Sequence, residues 1–137
     1  MDRRSLISRY EAYLDTCNRH DVDQLATFLA DRVTVTGRER SRVEYIDDLR
    51  QLLASFPDYR WRIRRTIVDG RWLAVHLVDT GTRSSAFLGA PGDGAVVTTD
   101  EFAMYRFDVE GLIEHVEVTA DNLRLTRPAG SGLDREG

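Results

Sequence analysis

Cysteine, histidine and long apolar runs are scarce in this chain of 137 residues, and each scarcity excludes a class of protein. Cys17 is the only cysteine, so the chain has no internal disulfide and no thiolate metal cluster. The histidines His20, His76 and His115 lie far apart and form no recognisable metal-ligand motif. We therefore predict no metal centre. GxSxG, P-loop and Rossmann glycine fingerprints are also missing, which removes the commonest hydrolase and nucleotide-binding motifs.

The N-terminal segment and the net charge limit the location and the partners of the protein. The N-terminal segment MDRRSLISRYEAYLD has no apolar core long enough for a signal peptide, and no run approaches the roughly 20 residues that span a bilayer. We therefore expect a cytoplasmic protein without membrane contact. The formal net charge of -4 lacks the basic excess of proteins that bind nucleic-acid phosphates, so no nucleic-acid partner is expected.

Length and composition indicate one domain followed by a short tail. A chain of 137 residues with 42% hydrophobic residues has room for a single core. We place this domain at residues 1–126. The remaining segment, residues 127–137 (RPAGSGLDREG), has no apolar periodicity and is predicted to be a disordered tail.

Three amphipathic helices are predicted before Pro57. In the first, apolar residues recur at three- and four-residue steps from Leu6 to Cys17. A shorter second helix follows Asp21, which we expect to cap it. Ser41 and Glu44 form a capping box at the start of the third helix, and Pro57 ends it.

Alternating runs separated by glycine turns predict a mainly antiparallel sheet. A short strand over residues 31–36 is followed by a charged loop, Arg38 to Arg40. Further strands are predicted at about residues 59–68, 71–84, 95–107 and 112–120. Turns such as Asp69-Gly70 and Glu110-Gly111 make neighbouring strands antiparallel. Helices gathered before such a sheet predict an α+β fold, in which a highly curved sheet wraps around three N-terminal helices and forms a cone with one open end.

Four short motifs occur in a fixed order along residues 10–125. They are Phe56-Pro57-Asp58 at the end of the third helix, Gly81-Thr82 followed by FLGAP at residues 87–91, Tyr105-Arg106-Phe107, and Gly111-Leu112-Ile113 running to Asp121. In this order and spacing the chain resembles the SnoaL-like polyketide cyclases of the nuclear-transport-factor-two-like superfamily.

The resemblance implies a cone-shaped pocket that needs neither a metal nor an organic cofactor, and ring closure by an aspartate at the end of the last strand. Asp121 matches that position and is the predicted catalytic base. Arg83 stands where the family commonly has a histidine, and Glu117 where it usually has a tryptophan, which weighs against the aromatic-polyketide aldol reaction. His76 and Val78 stand where related epoxide hydrolases carry an Arg-x-Asp pair, which disfavours epoxide hydrolysis.

His76 is the second predicted catalytic residue. Its strand face, read at every second residue from position 72 to position 80, is mostly apolar, which favours a pocket imidazole. An imidazole titrates near neutrality and suits proton transfer, although a hydrogen-bonded structural histidine fits the pattern equally well. Asp121 could likewise have a structural role instead of a catalytic one, as the cap of the turn that follows it.

Six further residues are predicted to contact substrate: Tyr13, Trp61, Trp72, Glu101, Tyr105 and His115. A phenol on the first helix can donate a hydrogen bond to a substrate oxygen. Of the neighbouring acids Asp100 and Glu101, one must face inward, because side chains alternate along a strand. The same alternation leaves open whether His115 and Glu117 face the cavity, the solvent or a partner subunit.

These features predict a cofactor-independent polyketide cyclase, of lyase or isomerase type, that closes a ring in a largely apolar small-molecule intermediate. Acid/base catalysis or the shape of the cavity alone could drive the closure, so conjugate addition and pericyclic closure stay open. A small isomerase or dehydratase of the same fold is one alternative. A non-catalytic binding or dimerisation module is another, and it is favoured if Trp61, Trp72, Phe87 and Phe102 fill the cone. We also expect a homodimer through the exposed sheet face.

Overall fold

The computed structural model describes residues 1–120, so the predicted base Asp121 and the predicted tail at residues 127–137 lie outside the described residues. The elements in chain order are α1 (Arg3–Asn18), a 3-10 helix (Val22–Phe28), β1 (Leu29–Val35), β2 (Arg38–Ser41), α2 (Arg42–Ser55), β3 (Arg60–Asp69), β4 (Trp72–Thr82), β5 (Val96–Phe107) and β6 (Ile113–Ala120). The predicted α+β class, with three helices and a mostly antiparallel sheet, is confirmed, although β1 and β2 precede α2 in the chain.

Local capping sets the helix boundaries. The Asp2 side chain accepts a hydrogen bond from the Ser5 amide and begins α1. The capping box of Ser41 and Glu44 is present and begins α2, as predicted. Asp21 precedes the second helix, but its side chain makes no capping hydrogen bond there, and the helix is 3-10 rather than α. The prediction that Asp21 caps this helix is therefore wrong.

The six strands form one sheet in the order β2-β1-β6-β5-β4-β3. The β1–β6 pair is parallel, and all other neighbours are antiparallel. Arg38 to Arg40, predicted as a charged loop, belong instead to β2, which pairs with β1 from Arg32 to Val35. The alternating charges of β2 suit an exposed edge strand, and composition alone does not distinguish such a strand from a loop.

One face of the sheet packs against the helices and the other faces outward. On β4 the inner set is Leu73, Val75, Leu77 and Asp79, all buried, and on β5 it includes Thr99, Ala103 and Tyr105. The outer face carries half-buried or exposed side chains, among them Ile67, Phe102 and Met104. The hydrophobic core therefore lies between the inner face and the helices.

The end of α1 is joined to the edge strand β3 by side-chain hydrogen bonds. The Asn18 amide nitrogen donates to the Trp61 carbonyl at 2.9 Å, and the Trp61 amide donates to the Asn18 carbonyl oxygen at 2.8 Å. The His20 ring also contacts the Tyr59 carbonyl at 2.7 Å. These contacts occupy edge groups that would otherwise be open to another strand, and they fix the Trp61 ring against the core.

Arg83 fastens the long loop between β4 and β5. Its side chain is completely buried, its Nε donates to the Pro91 carbonyl at 2.9 Å, and one terminal nitrogen donates to both carboxylate oxygens of Asp93 at 3.0 and 3.1 Å. A buried guanidinium needs such partners because an uncompensated charge in the interior is strongly unfavourable. Arg83, directly after β4, is therefore joined to Pro91 and Asp93 near the end of the loop, so the loop folds back toward its start.

Among residues 1–120, no helix is both long enough and apolar enough to cross a membrane.

Candidate active site in the interior of the cone

A cavity of about 210 Å³ lies between the helices and the inner face of the sheet. Its walls are mainly apolar and aromatic. It is lined by Tyr13, Leu14, Cys17, Val35, Tyr45, Asp48, Leu49, Leu52, Trp61, Glu101, Tyr105, Val116 and Val118. The cone is thus not filled by its own side chains. An apolar cavity with few polar groups is the usual form of a small-molecule site.

Two phenols form a hydrogen-bonded pair in the cavity wall. The hydroxyl oxygens of Tyr13 on α1 and Tyr45 on α2 are 2.7 Å apart. Burial is the main reason that the pKa of each phenol lies well above that of an exposed tyrosine, so both stay protonated at neutral pH. Because only one of the two protons is used between them, the pair retains one O–H for a ligand.

Two carboxyl groups share the inner face of β4 and β5. Glu101 lies opposite Leu77, and Asp79 lies opposite Thr99, so the two acids are diagonal neighbours on the sheet. Asp79 is completely buried, its Oδ2 accepts a hydrogen bond from the Tyr59 hydroxyl at 3.1 Å, and its Oδ1 has no partner within residues 1–120. Burial first, and then the adjacent Glu101 carboxyl, raises the pKa of Asp79 far above its usual range. Asp79 is therefore a neutral acid at pH 7, able to donate a hydrogen bond.

A close approach at Gly81 positions Tyr59 over this acid. A Cβ atom at Gly81 would lie 2.9 Å from the Tyr59 ring and 3.2 Å from the Phe56 ring, so only glycine lets both aromatics pack directly against β4. These two rings contact each other at a centroid distance of 5.6 Å. Close packing thus explains the glycine of the Gly81-Thr82 motif, because the absence of a Cβ atom allows the Tyr59 hydroxyl to reach Asp79.

Cys17 is a buried thiol in the cavity wall. Only 3% of the residue is exposed, and burial raises the pKa of its thiol to about 12. At pH 8 the reactive thiolate is therefore almost absent.

We expect the native protein to resist a thiol reagent such as 5,5′-dithiobis(2-nitrobenzoate) and to react with one equivalent after denaturation in urea. Rapid labelling of the native protein would contradict this burial.

The structure separates the predicted site residues into two groups. Tyr13, Trp61, Glu101 and Tyr105 line the interior cavity. Of the neighbouring acids, Glu101 is the one that faces inward, whereas the Asp100 side chain is on the outer face. The proposed base Asp121 follows the last described residue of β6.

His76, Trp72 and His115 were predicted to face the pocket, and this placement is wrong. The His76 ring stacks on Phe102 of the outer face at a centroid distance of 4.3 Å, and its Nε2 is 2.8 Å from Oδ1 of Asp100. Trp72 and His115 contact each other on that same face. Because the Leu73 side of β4 is the inner one, the residues that alternate with it must point away from the helices.

The two positions that differ from the family pattern also lie outside the described cavity lining. Arg83 holds the β4–β5 loop, and Glu117 pairs with His115 at 2.6 Å. Neither side chain therefore contributes a charge to the described lining of the cavity.

Sequence reasoning did not single out Asp79, the buried acid beside Glu101. The available signal was the hydrophobicity of its strand face, because Leu73, Val75 and Leu77 are more apolar than the alternating set that contains His76. The more apolar face of a one-sided sheet is the buried one. An aspartate that continues such a face is therefore buried with it.

The interior arrangement can donate hydrogen bonds to a substrate oxygen and can accept a proton. The phenol pair of Tyr13 and Tyr45 is a donor, and Glu101 is an acceptor. Within residues 1–120, no group of three or more His, Cys, Asp or Glu side chains is arranged to hold a metal ion.

Three helical segments packed on the inner face of a curved sheet, with a cavity between them, define a domain of the nuclear-transport-factor-two-like fold. The chain belongs to the SnoaL-like polyketide cyclase family, whose sequence profile matches residues 7–128. No curated protein shows a significant match.

Solved structures agree with this assignment. A SnoaL-like polyketide cyclase from Agrobacterium tumefaciens is 32% identical, with a TM-score of 0.80 over 89% of this chain and 95% of that one. TsrD from Streptomyces laurentii is 20% identical, with a TM-score of 0.84 over 95% and 98% of the two chains. IdmH from Streptomyces antibioticus is 21% identical, with a TM-score of 0.77 over 87% and 94%. The latter two share the fold with this chain.

Proposed function

We propose that this protein is a cofactor-independent cyclase that closes a ring in a polyketide-type intermediate held in the interior cavity. The observation that carries the proposal is the cavity itself, which is mainly apolar and has a phenol pair and two acidic side chains, Asp48 and Glu101, in its walls. Family membership supports a small-molecule substrate. Holding a flexible chain in a folded conformation lowers the entropic part of the barrier to ring closure.

Acid/base chemistry in this cavity needs a base and a group that stabilises the oxyanion. Asp121 stays our proposed base, on the strength of the family resemblance, and Glu101 is a second carboxylate that already faces the cavity. The donor is the phenol pair of Tyr13 and Tyr45. Donors aimed at a developing oxyanion lower the barrier to ring closure.

Metabolite analysis of a deletion strain tests the reaction class. If the protein closes a ring by conjugate addition or a pericyclic step, the strain lacking it should accumulate an acyclic isomer of the missing product. An aldol condensation would instead leave a precursor that is heavier by one water. Adding the purified protein to the accumulated compound should restore the cyclic product. A strain whose metabolites do not change would refute the cyclase proposal.

An isomerase or dehydratase of the same fold is the alternative function. The cavity of about 210 Å³ is smaller than the 300 Å³ or so that begins the usual range for drug-sized ligands, which favours a compact substrate. The same experiment distinguishes the two functions, because an isomerase product contains no additional ring.

The binding-module alternative was favoured if four aromatic side chains filled the cone. Two of them, Trp72 and Phe102, lie on the outer face instead, which weighs against this alternative.

We also propose a homodimer formed through the outer face. Ile67, Phe102 and Met104 are 61%, 54% and 44% exposed there. The arginines of β3 and the acidic Glu117 of β6 lie on opposite sides of this apolar strip. A two-fold axis through its centre would bring the basic side of one copy over the acidic side of the other, and such self-complementarity is what an isologous dimer requires.

Phe102→Asp is expected to weaken this dimer by about 30-fold or more, because it places a charge in the centre of the apolar strip. Sedimentation equilibrium of the two proteins measures the change. Val109→Asp is the matched control, since Val109 is 83% exposed in the β5–β6 turn, away from the strip. A wild-type protein that is monomeric at tens of micromolar, an ordinary working concentration for a stable interface, would refute the dimer.

A further inference from the structure

The described lining of the interior cavity includes acids and no bases. Its charged members are Glu101 and Asp48, and none of its residues is arginine, lysine or histidine. Asp48 is compensated at the rim, where the Arg40 guanidinium donates to its two oxygens at 2.9 and 3.1 Å. Glu101 forms no ion pair with any residue between 1 and 120. Glu101 is therefore a cavity-wall carboxylate with no cationic partner among those residues.

The hydrogen-bonding groups of the cavity are as restricted as its charges. The phenol pair of Tyr13 and Tyr45 offers one O–H donor, and Glu101 offers acceptor oxygens. Most of the remaining wall is apolar, with side chains such as Leu49, Trp61 and Val116. A complementary ligand has an oxygen acceptor at one end, an O–H or acidic C–H donor at the other, and no negative charge.

We propose that the cavity admits uncharged carbonyl and hydroxyl compounds and rejects carboxylates, and that Glu101 is the residue that sets this specificity. The inference rests on the cyclase proposal and narrows its substrate class. A ligand carboxylate about 5 Å from Glu101 is disfavoured by roughly two orders of magnitude in affinity at an effective dielectric constant of about 20. An aqueous counterion cannot relieve this repulsion inside an apolar cavity.

Quenching of Trp61 fluorescence by three probes of nearly equal size tests the proposal without the natural substrate. Trp61 lines the cavity, and Trp72→Phe removes the only other tryptophan, which lies on the outer face. The probes are 4-nitrobenzyl alcohol, 4-nitrobenzoate and 4-nitrobenzylammonium, which are neutral, anionic and cationic at pH 7.5. Each has a single ring and suits a cavity of about 210 Å³.

In the Trp72→Phe background, the alcohol and the ammonium compound should quench Trp61 saturably, and the benzoate should bind at least about 30-fold more weakly than the alcohol. Adding Glu101→Gln should reduce this discrimination to about threefold or less. Glu110→Gln is the matched control, because it removes the same charge from the exposed β5–β6 turn and should leave the discrimination unchanged.

Several results would overturn the inference. Benzoate binding within threefold of the alcohol, rejection of the ammonium compound as well, or discrimination that persists in Glu101→Gln would each show that Glu101 does not select on charge. These results leave the cyclase proposal standing. If no probe quenches Trp61 up to about 10 mM, a concentration that detects even weak binding, the cavity is closed to ligands and both proposals fail.

Discussion

Asp121→Asn is expected to lower turnover by roughly 10² to 10⁴ while the protein remains folded. An asparagine can still accept a hydrogen bond from a backbone N–H and so retains any capping role, but it cannot accept a proton at neutral pH. The loss applies if proton abstraction limits the rate. The measurements are kcat on the natural substrate and Tm by differential scanning calorimetry, and His76→Gln serves as a control that should cost far less.

Full activity of Asp121→Asn would refute Asp121 as the base. Glu101→Gln then decides between the two remaining mechanisms. A loss of similar size in Glu101→Gln would identify the carboxylate that faces the cavity as the base. Activity in both variants would instead support closure by cavity shape alone, which needs no proton acceptor.

Asp79→Asn is expected to stabilise the protein. Asparagine has nearly the same shape, and its oxygen can still accept the Tyr59 hydroxyl, which lies 3.1 Å from the aspartate. At pH 7, about three units above the ordinary pKa of an aspartic acid, keeping the buried carboxyl protonated costs at most about 4 kcal/mol. We therefore expect the free energy of unfolding to rise by about 1–4 kcal/mol, and Tm by several degrees.

The dependence on pH distinguishes this effect from better packing. Burial raises the pKa of Asp79 in the folded state above its unfolded value, so the folded protein binds the extra proton and loses stability as pH rises above about 4. The advantage of Asp79→Asn should therefore be large at pH 8 and nearly absent at pH 4. Asp100→Asn, in the exposed outer-face pair with His76, should change stability by less than about 1 kcal/mol. An Asp79→Asn protein less stable than wild type at pH 8 would contradict the assignment of a buried neutral acid.

Most of the fold was predictable because its signals are local. Apolar steps of three and four residues marked α1, the Ser41–Glu44 capping box marked the start of α2, and glycine turns separated the long strands. Each of these depends on residues close together in the chain. The 3-10 form of the second helix and the pairing of β2 were not predictable, because they depend on how distant segments pack.

Side-chain alternation along β4 gave two faces, and choosing between them was the step that sequence reasoning did incorrectly. His76 was selected because a histidine among apolar neighbours suits catalysis, but the structure buries the face that carries Asp79. The presence of a histidine does not show which face is buried. The relative hydrophobicity of the two faces does, because the more apolar face of a one-sided sheet packs against the core. Glu101 lines the cavity, and alternation alone could not choose between it and its neighbour Asp100.

The sequence by itself determined the family, the order of the helices and long strands, and the amphipathic character of α1, since motif spacing and periodicity are properties of a linear chain. Only the tertiary structure decided which residues meet. Tyr13 and Tyr45 are 32 positions apart and share a hydrogen bond, and Asp79 acquires its raised pKa from burial and from the Glu101 carboxyl on the next strand. Proximity and desolvation are properties of the packed interior, and for that reason the hydrogen bond between the two phenols and the raised pKa of Asp79 could not be derived from residue order.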